Sequence, residues 1–167
     1  MLDIDASEIL IHKAGAHWTY QKNRGYMPMV GHLAEIDQVV AVDFCPGNVA
    51  PAKDNLIFLK HCEAALSVGF TVKAFRADVA AYQAAIIRHC DQQQIAYAIR
   101  AKLSPSLKAQ IAVLADDVWQ PLLDRPGKAT DQQTYHTSHC IGDYDQAFTL
   151  SEYRPEPEVL CCHFRTT

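Results

Sequence analysis

Leu2-Asp3-Ile4-Asp5-Ala6 alternates apolar and acidic side chains, the period of a strand with one buried face, and its last carboxylate sits at the strand end. A second β-prone run, Thr71 to Ala77, stops in the same way on Asp78. The chain between and beyond these two runs predicts an ordered series of elements. Residues 12–25 (HKAGAHWTYQKNRG) are polar and glycine-containing and read as a loop or long hairpin connection. Residues 26–33 and 38–44 read as paired strands around a turn at Glu35-Ile36-Asp37, with Pro28 at a strand start, edge or bulge. Cys45-Pro46-Gly47-Asn48 breaks the chain, and Pro51 suits the first turn of a helix whose stripe of Leu56, Leu59, Cys62 and Leu66 ends before Gly69. An Ala-rich helix over 79–93, a buried strand over 95–100 and a helix from Pro105 to about Leu114 follow. A loop around Pro121, Pro126 and Gly127 leads to strands near 134–141 and 146–151. The order β-β-β-α-β-α-β predicts an α/β chain, a mixed sheet with flanking helices. Residues 153–167, broken by Pro155 and Pro157, follow neither period and predict an irregular tail.

Composition narrows the function classes. With 167 residues, 49% hydrophobic and 20% charged, the chain suits one domain with one core, not a disordered, collagen-like or coiled-coil protein. No apolar run approaches the roughly 20 residues of a membrane-spanning helix. The start, Met1-Leu2-Asp3-Ile4-Asp5, has no basic stretch followed by an apolar one, so no secretory signal is expected. Six cysteines without a zinc spacing then read as reduced thiols in a cytoplasmic chain. A net charge of −4 is not the basic footprint of a stand-alone nucleic-acid binder, so any grip on DNA has to come from locally clustered cations.

The strand-end acids carry the most chemistry. Ligand sites form at the carboxyl ends of strands in α/β sheets. Asp5 and Asp78 brought together there would suit a hard cation, Mg²⁺ or Mn²⁺, and would repel each other without one. Asp78 has a competing role as a cap for the helix that follows it. Asp3 points to the same side as Asp5, so period alone does not separate the two. His12, Lys13, His17, Lys22 and Arg24, with Trp18 and Tyr20 among them, form the best basic-plus-aromatic cluster, suited to gripping a DNA strand or to a solvated hairpin. Arg76 can meet a phosphate or pair with a carboxylate, and Arg100 and Lys102 read the same way. His32, His61, His89 and the His136/His139 pair have no zinc spacing. Cys140 beside His139 makes no nucleophilic pair, since neighbours on a strand face opposite ways.

Several stretches carry a resemblance. Leu2-Asp3-Ile4-Asp5-Ala6-Ser7 resembles the first acidic motif of DDE-class transposases of bacterial insertion sequences. Asn23-Arg24-Gly25-Tyr26-Met27-Pro28-Met29, His32-Leu33-Ala34-Glu35, Pro46-Gly47-Asn48 and Pro51-Ala52 are similar to the stretches that follow in that group. Phe75-Arg76-Ala77-Asp78 is similar to its second acidic motif, and residues 97–102 and 139–143 also resemble it. The resemblance runs from residue 2 to about 150. It implies a ribonuclease-H-like core in which three carboxylates hold two divalent ions, Mg²⁺ or Mn²⁺, about 3.5–4 Å apart for in-line phosphodiester displacement. Water first frees the transposon end and a 3′-hydroxyl then joins it to target DNA. Asp5 maps to the first carboxylate and Asp78 to the second, as catalytic and metal-binding residues. Lys13, Lys22, Arg24 and Arg76 are the DNA-binding candidates.

Two departures qualify this expectation. Val79 stands where the group has a small or polar residue. The group's third acid, a glutamate within a Tyr-x2-Arg-x3-Glu-x6-Lys signature on a later helix, has no counterpart, because Pro155 and Pro157 break the segment that holds Glu152, Glu156 and Glu158. The resemblance therefore implies a partial catalytic domain over 1–152, its C-terminal catalytic helix missing, without the region that binds transposon ends and with little activity of its own. The alternatives are a non-catalytic remnant that associates with full-length transposase or with itself, and an unrelated α/β metal-dependent hydrolase.

Overall fold

The computed structural model describes residues 1–102, residues 104, 105, 109 and 113, and the backbone of residues 120–123, 129–141, 144–153 and 158–165. In chain order the strands are β1 (Leu2–Ala6), β2 (Ile9–Leu10), β3 (His17–Trp18), β4 (Arg24–Tyr26), β5 (Met29–Leu33) and β6 (Gln38–Asp43). Helix α1 (Asn55–Ala64), β7 (Ala74–Ala77), a 3₁₀ turn (Val79–Ala81), α2 (Ala84–Gln92) and β8 (Ala96–Arg100) follow. The chain continues through β9 (Gln120–Leu123), β10 (Ala129–Ile141), β11 (Tyr144–Tyr153) and β12 (Glu158–Arg165). Strands β1, β5 and β6, then α1, β7, α2 and β8, reproduce the β-β-β-α-β-α-β order predicted from the sequence.

The main sheet runs β6-β5-β1-β7-β8-β12-β11-β10-β9. Its centre, β1-β7-β8, is parallel, and β5 and β6 extend it antiparallel on one side. Alternation builds the core. Leu2 and Ile4, Phe75, and Tyr97 and Ile99 are buried from three adjacent strands, and between them lie the more exposed Asp3, Arg76 and Ala98. Phe58, Leu59 and Cys62 of α1 and Ile86, Ile87 and Cys90 of α2 join the same cluster. Removal of this apolar surface from water is the main force holding helices on sheet. Gly31 lets α1 come close: a Cβ there would lie 2.4 Å from the Cys62 Sγ. Burial, foremost, pushes the Cys62 and Cys90 thiols up to about 12, so both are inert packing groups at neutral pH.

Several boundaries differ from those predicted. Residues 51–54 form turns, and Asp54 has φ 60°, a left-handed conformation that cannot continue a helix, so α1 begins at Asn55 and not at Pro51. The helix expected over 79–93 is split, because Asp78 caps the 3₁₀ turn and Gln83 is extended before α2 starts. Of the two readings of the polar stretch 12–25, the hairpin holds: β3 and β4 pair antiparallel, and β2, just before the stretch, joins them in a small sheet of their own. Pro121, expected in a loop, lies in edge strand β9, where a missing N–H is tolerated. The irregular tail expected over 153–167 is corrected at Glu158–Arg165, which is strand β12, paired antiparallel with β8 and β11. No proline interrupts the chain after residue 157, so every residue of that β-prone run has both backbone groups for its neighbours. Most of the helix expected over 105–114 lies outside the described residues.

Candidate functional site

Strand register brings the two acids together. Leu2, Asp3 and Ile4 of β1 lie opposite Phe75, Arg76 and Ala77 of β7, in parallel. One step further along both strands come Asp5 and Asp78. The preceding polar rung is already neutral: the Arg76 guanidinium donates from Nε to Asp3 Oδ1 at 3.1 Å and from Nη2 to Asp3 Oδ2 at 2.5 Å. Such a two-pronged pair fixes both side chains. Asp3 and Asp5, which period could not distinguish, are thus different groups, one ion-paired and one facing another acid.

Each strand-end carboxylate uses Oδ1 locally. Asp5 accepts the Ala6 N–H at 2.9 Å, and Asp78 accepts the Ala80 N–H at 2.9 Å as the cap of the 3₁₀ turn. The capping role that competed with a ligand role for Asp78 is therefore real, and it leaves Oδ2 available. The Asp5 carboxyl is pushed above its ordinary value. Partial loss of water is the main cause, the Ala6 N–H opposes it, and the negative charge of Asp78 adds to the rise. Asp78 is thus near enough for its charge to bear on Asp5.

Asp5 and Asp78 line one cavity of ≈ 330 Å³, together with Asn55 at the start of α1 and Tyr20 from the loop after β3. The rest of the wall is mostly apolar, with Ile4, Met29 and several alanines. Gln83 holds two sides of it together, since its Nε2 donates to Ala52 O at 2.8 Å and to Ala80 O at 2.9 Å. Asn55 is 2% exposed, and its Oδ1 has no hydrogen-bond partner.

The small sheet borders this cavity through Tyr20, which is 64% exposed. Lys13, Lys22 and Arg24 are exposed on the same excursion, as is Trp18. The Arg24 guanidinium stacks 5.2 Å from the Trp18 ring centre and donates to Ala14 O at 3.2 Å. Arg76 is committed to Asp3, the carboxylate alternative of its two expected roles, while Arg100 and Lys102 are exposed.

Three of the described histidines pair singly with acids: His32 with Asp37 at 2.9 Å, His61 with Asp43 at 3.3 Å and His89 with Glu63 at 2.9 Å. Among the described residues no three His, Cys, Asp or Glu side chains gather as a metal cluster. The side chains of His136, His139 and Cys140 lie outside the described residues. The cavity wall offers two carboxylates, and Asn55 beside them carries a buried, unmatched amide oxygen, together the hard oxygen set that Mg²⁺ or Mn²⁺ takes. They fit such an ion in kind, and in number they fall short of its six ligands.

Sequence reading singled out neither Asn55 nor Gln83. An Asn or a Gln at a helix start carries no local mark of a site, and only the folded chain puts Asn55 in the cavity wall and Gln83 between two residues that line it.

A family model for transposase DDE domain group 1 matches residues 1–140. No curated protein sequence matches the chain. Among solved structures, the cryo-EM structure of a piggyBac transposase synaptic complex with hairpin DNA is similar, at a TM-score of 0.50 and 11% identity. The match covers 98% of this chain and 32% of that one, so the chain spans about a third of the transposase it resembles. At that identity the likeness concerns fold alone, and it agrees with the ribonuclease-H-like arrangement expected from the order of elements. The family match sets aside the unrelated hydrolase, and the chain belongs to the transposase DDE domain group 1 family.

Proposed function

We propose that this chain forms part of the catalytic core of a DNA transposase, with Asp5 and Asp78 as two of the acids that hold a divalent cation, Mg²⁺ or Mn²⁺. The observation that carries the reading is the meeting of two carboxylates at one cavity, where burial first and the charge of Asp78 second raise the Asp5 carboxyl. Such an arrangement opposes folding unless a cation or a proton compensates it, and a perturbed carboxylate in a cavity, as Asp5 is, is the kind of group that marks functional sites. When bound, the cation supplies Lewis-acid stabilisation of the charge that develops on phosphodiester oxygens. Asp5 and Asp78 bind and orient it through the oxygens that their backbone hydrogen bonds leave open. The Asp3–Arg76 pair keeps the neighbouring rung neutral.

A third carboxylate of a three-acid set has to come from outside the Asp5–Asp78 pair. With two acids the cation site is weak, and Mg²⁺-dependent joining of transposon ends by this chain alone stays at background. DNA is the expected partner, and the exposed Lys13, Lys22 and Arg24 beside Trp18 and Tyr20 support that reading, because phosphate contact and base stacking together suit a strand led to the cavity. The piggyBac structure is a synaptic complex with hairpin DNA, which agrees with the same partner class.

The test is a Mn²⁺ titration of the chain followed by electron paramagnetic resonance. Uptake by the wild type that disappears in both D5N and D78N supports the reading. Uptake that is unchanged in both variants puts the cation elsewhere and overturns it.

A further inference from the structure

Asn55 presents an anomaly that its place in the fold does not explain. It is the first helical residue of α1, one step past the N-cap Asp54, so capping does not account for it, and its Oδ1 takes no backbone N–H. The side chain is 2% exposed, and this oxygen is the one buried side-chain polar atom among the described residues that lacks a partner. A buried acceptor that has given up water without gaining a donor is unfavourable, and in native proteins it points to a bound water or ion. Its position narrows the choice, since Asn55 lines the cavity shared by Asp5 and Asp78.

We infer that Asn55 is a neutral oxygen donor for the cation of the Asp5–Asp78 cavity. An amide oxygen is a hard ligand of the type that Mg²⁺, Mn²⁺ and Ca²⁺ accept beside carboxylates, and it adds a bond without adding repulsion to a pair already at odds. The terminal amide torsion is broad and two-fold, so Oδ1 turns toward the cavity without movement of the backbone. Gln83 holds Ala52 and Ala80 together across the cavity, so the helix start that carries Asn55 is tied to the turn that follows Asp78. The same Oδ1 therefore remains unmatched in the empty chain and matched in the loaded one. This inference rests on the reading of Asp5 and Asp78 as cation ligands.

The test uses the full 167-residue chain and two readouts, Mn²⁺ affinity by paramagnetic resonance and thermal melting with and without Mn²⁺. N55L removes the donor at similar volume. It is expected to weaken Mn²⁺ binding about 10-fold or more, the size of effect seen when a supporting ligand is lost, and to raise the metal-free melting temperature by removing the unmatched oxygen. N55D keeps the shape and adds a charge. It is expected to melt lower than wild type without metal and to gain more than wild type from Mn²⁺, which keeps the test decisive if N55L folds poorly. Wild-type uptake that D78N abolishes, with N55D gaining no more from Mn²⁺ than wild type, or a well-folded N55L binding as wild type does, overturns the role of Asn55 and leaves the two aspartates standing. Absence of uptake by the wild type overturns both.

Discussion

Two cavities lie at opposite ends of the same helix-covered sheet, and the larger is the less eventful. The one below the start of β7, ≈ 540 Å³, is walled by the C-terminal ends of α1 and α2 and holds Lys60, Lys73, Glu63 and His89. Its most buried polar side chains are already matched, with His89 Nε2 and Glu63 Oε2 at 2.9 Å across the two helices. The smaller cavity, ≈ 330 Å³ at the far end of β1 and β7, is lined by two acids and by Asn55, whose buried amide oxygen has no partner. Volume alone would choose the first. Unbalanced electrostatics chooses the second, because a fold tolerates such a cluster where a ligand completes it.

The widest separation between the two ends is expected in cation uptake. The D5N/D78N double variant should weaken Mn²⁺ binding by at least about 100-fold, well beyond the loss of a supporting ligand. E63Q and H89Q should leave it within about 2-fold, since their partners are spent on each other. Equal losses from both ends would erase the contrast.

The small sheet beside the acidic cavity gives the next effect. K13E/K22E should weaken binding of a short DNA strand by about 10-fold at low salt and flatten the salt dependence, as fewer phosphate contacts release fewer counterions. Fluorescence anisotropy at two salt concentrations reads both. K60E/K73E at the opposite cavity should change neither.

The neutral rung sharpens the comparison further. R76Q should strengthen Mn²⁺ binding several-fold by leaving Asp3 unbalanced near Asp5, and should lower stability by about 0.5–1 kcal/mol, the scale of a partly exposed ion pair. Weaker Mn²⁺ binding in R76Q would mean that Arg76 positions the site and does not merely neutralise Asp3.

A smaller effect follows from pH. Folding raises the Asp5 pKa, so protonation favours the folded state. The penalty is fully present at neutral pH and fades as pH falls through the raised value. D5N, which keeps an oxygen for the Ala6 N–H, should therefore melt about 1–3 °C above wild type at pH 7 without metal, and the gap should close in acid. A gap that widens in acid would contradict the assigned sign.

Much of this was legible in the sequence. The alternation of Leu2 to Ala6 and the run ending on Asp78 gave the two central strands and both acids, because period and strand ends are local properties. The resemblance added the family. What was not legible depends on contact across the fold. Arg76 had two plausible partners until register set it opposite Asp3. Asn55 drew no reading at all, because nothing local marks a residue one step inside a helix whose cap is the left-handed Asp54. Gln83 showed its role once the turn after Asp78 met the segment before α1. Glu158 to Arg165 looked irregular because its two prolines were read as part of the segment, whereas they precede it.

The most direct test of the central claim is a set of melting curves for wild type and D78N, each in metal-free buffer and with Mg²⁺. Asn at position 78 still caps the 3₁₀ turn, so the substitution removes the charge and little else. If Asp5 and Asp78 are a repelling pair that a cation joins, D78N melts higher than wild type without metal, and Mg²⁺ raises the wild type and not D78N. Curves that superimpose in both buffers would mean that the two carboxylates are not such a pair.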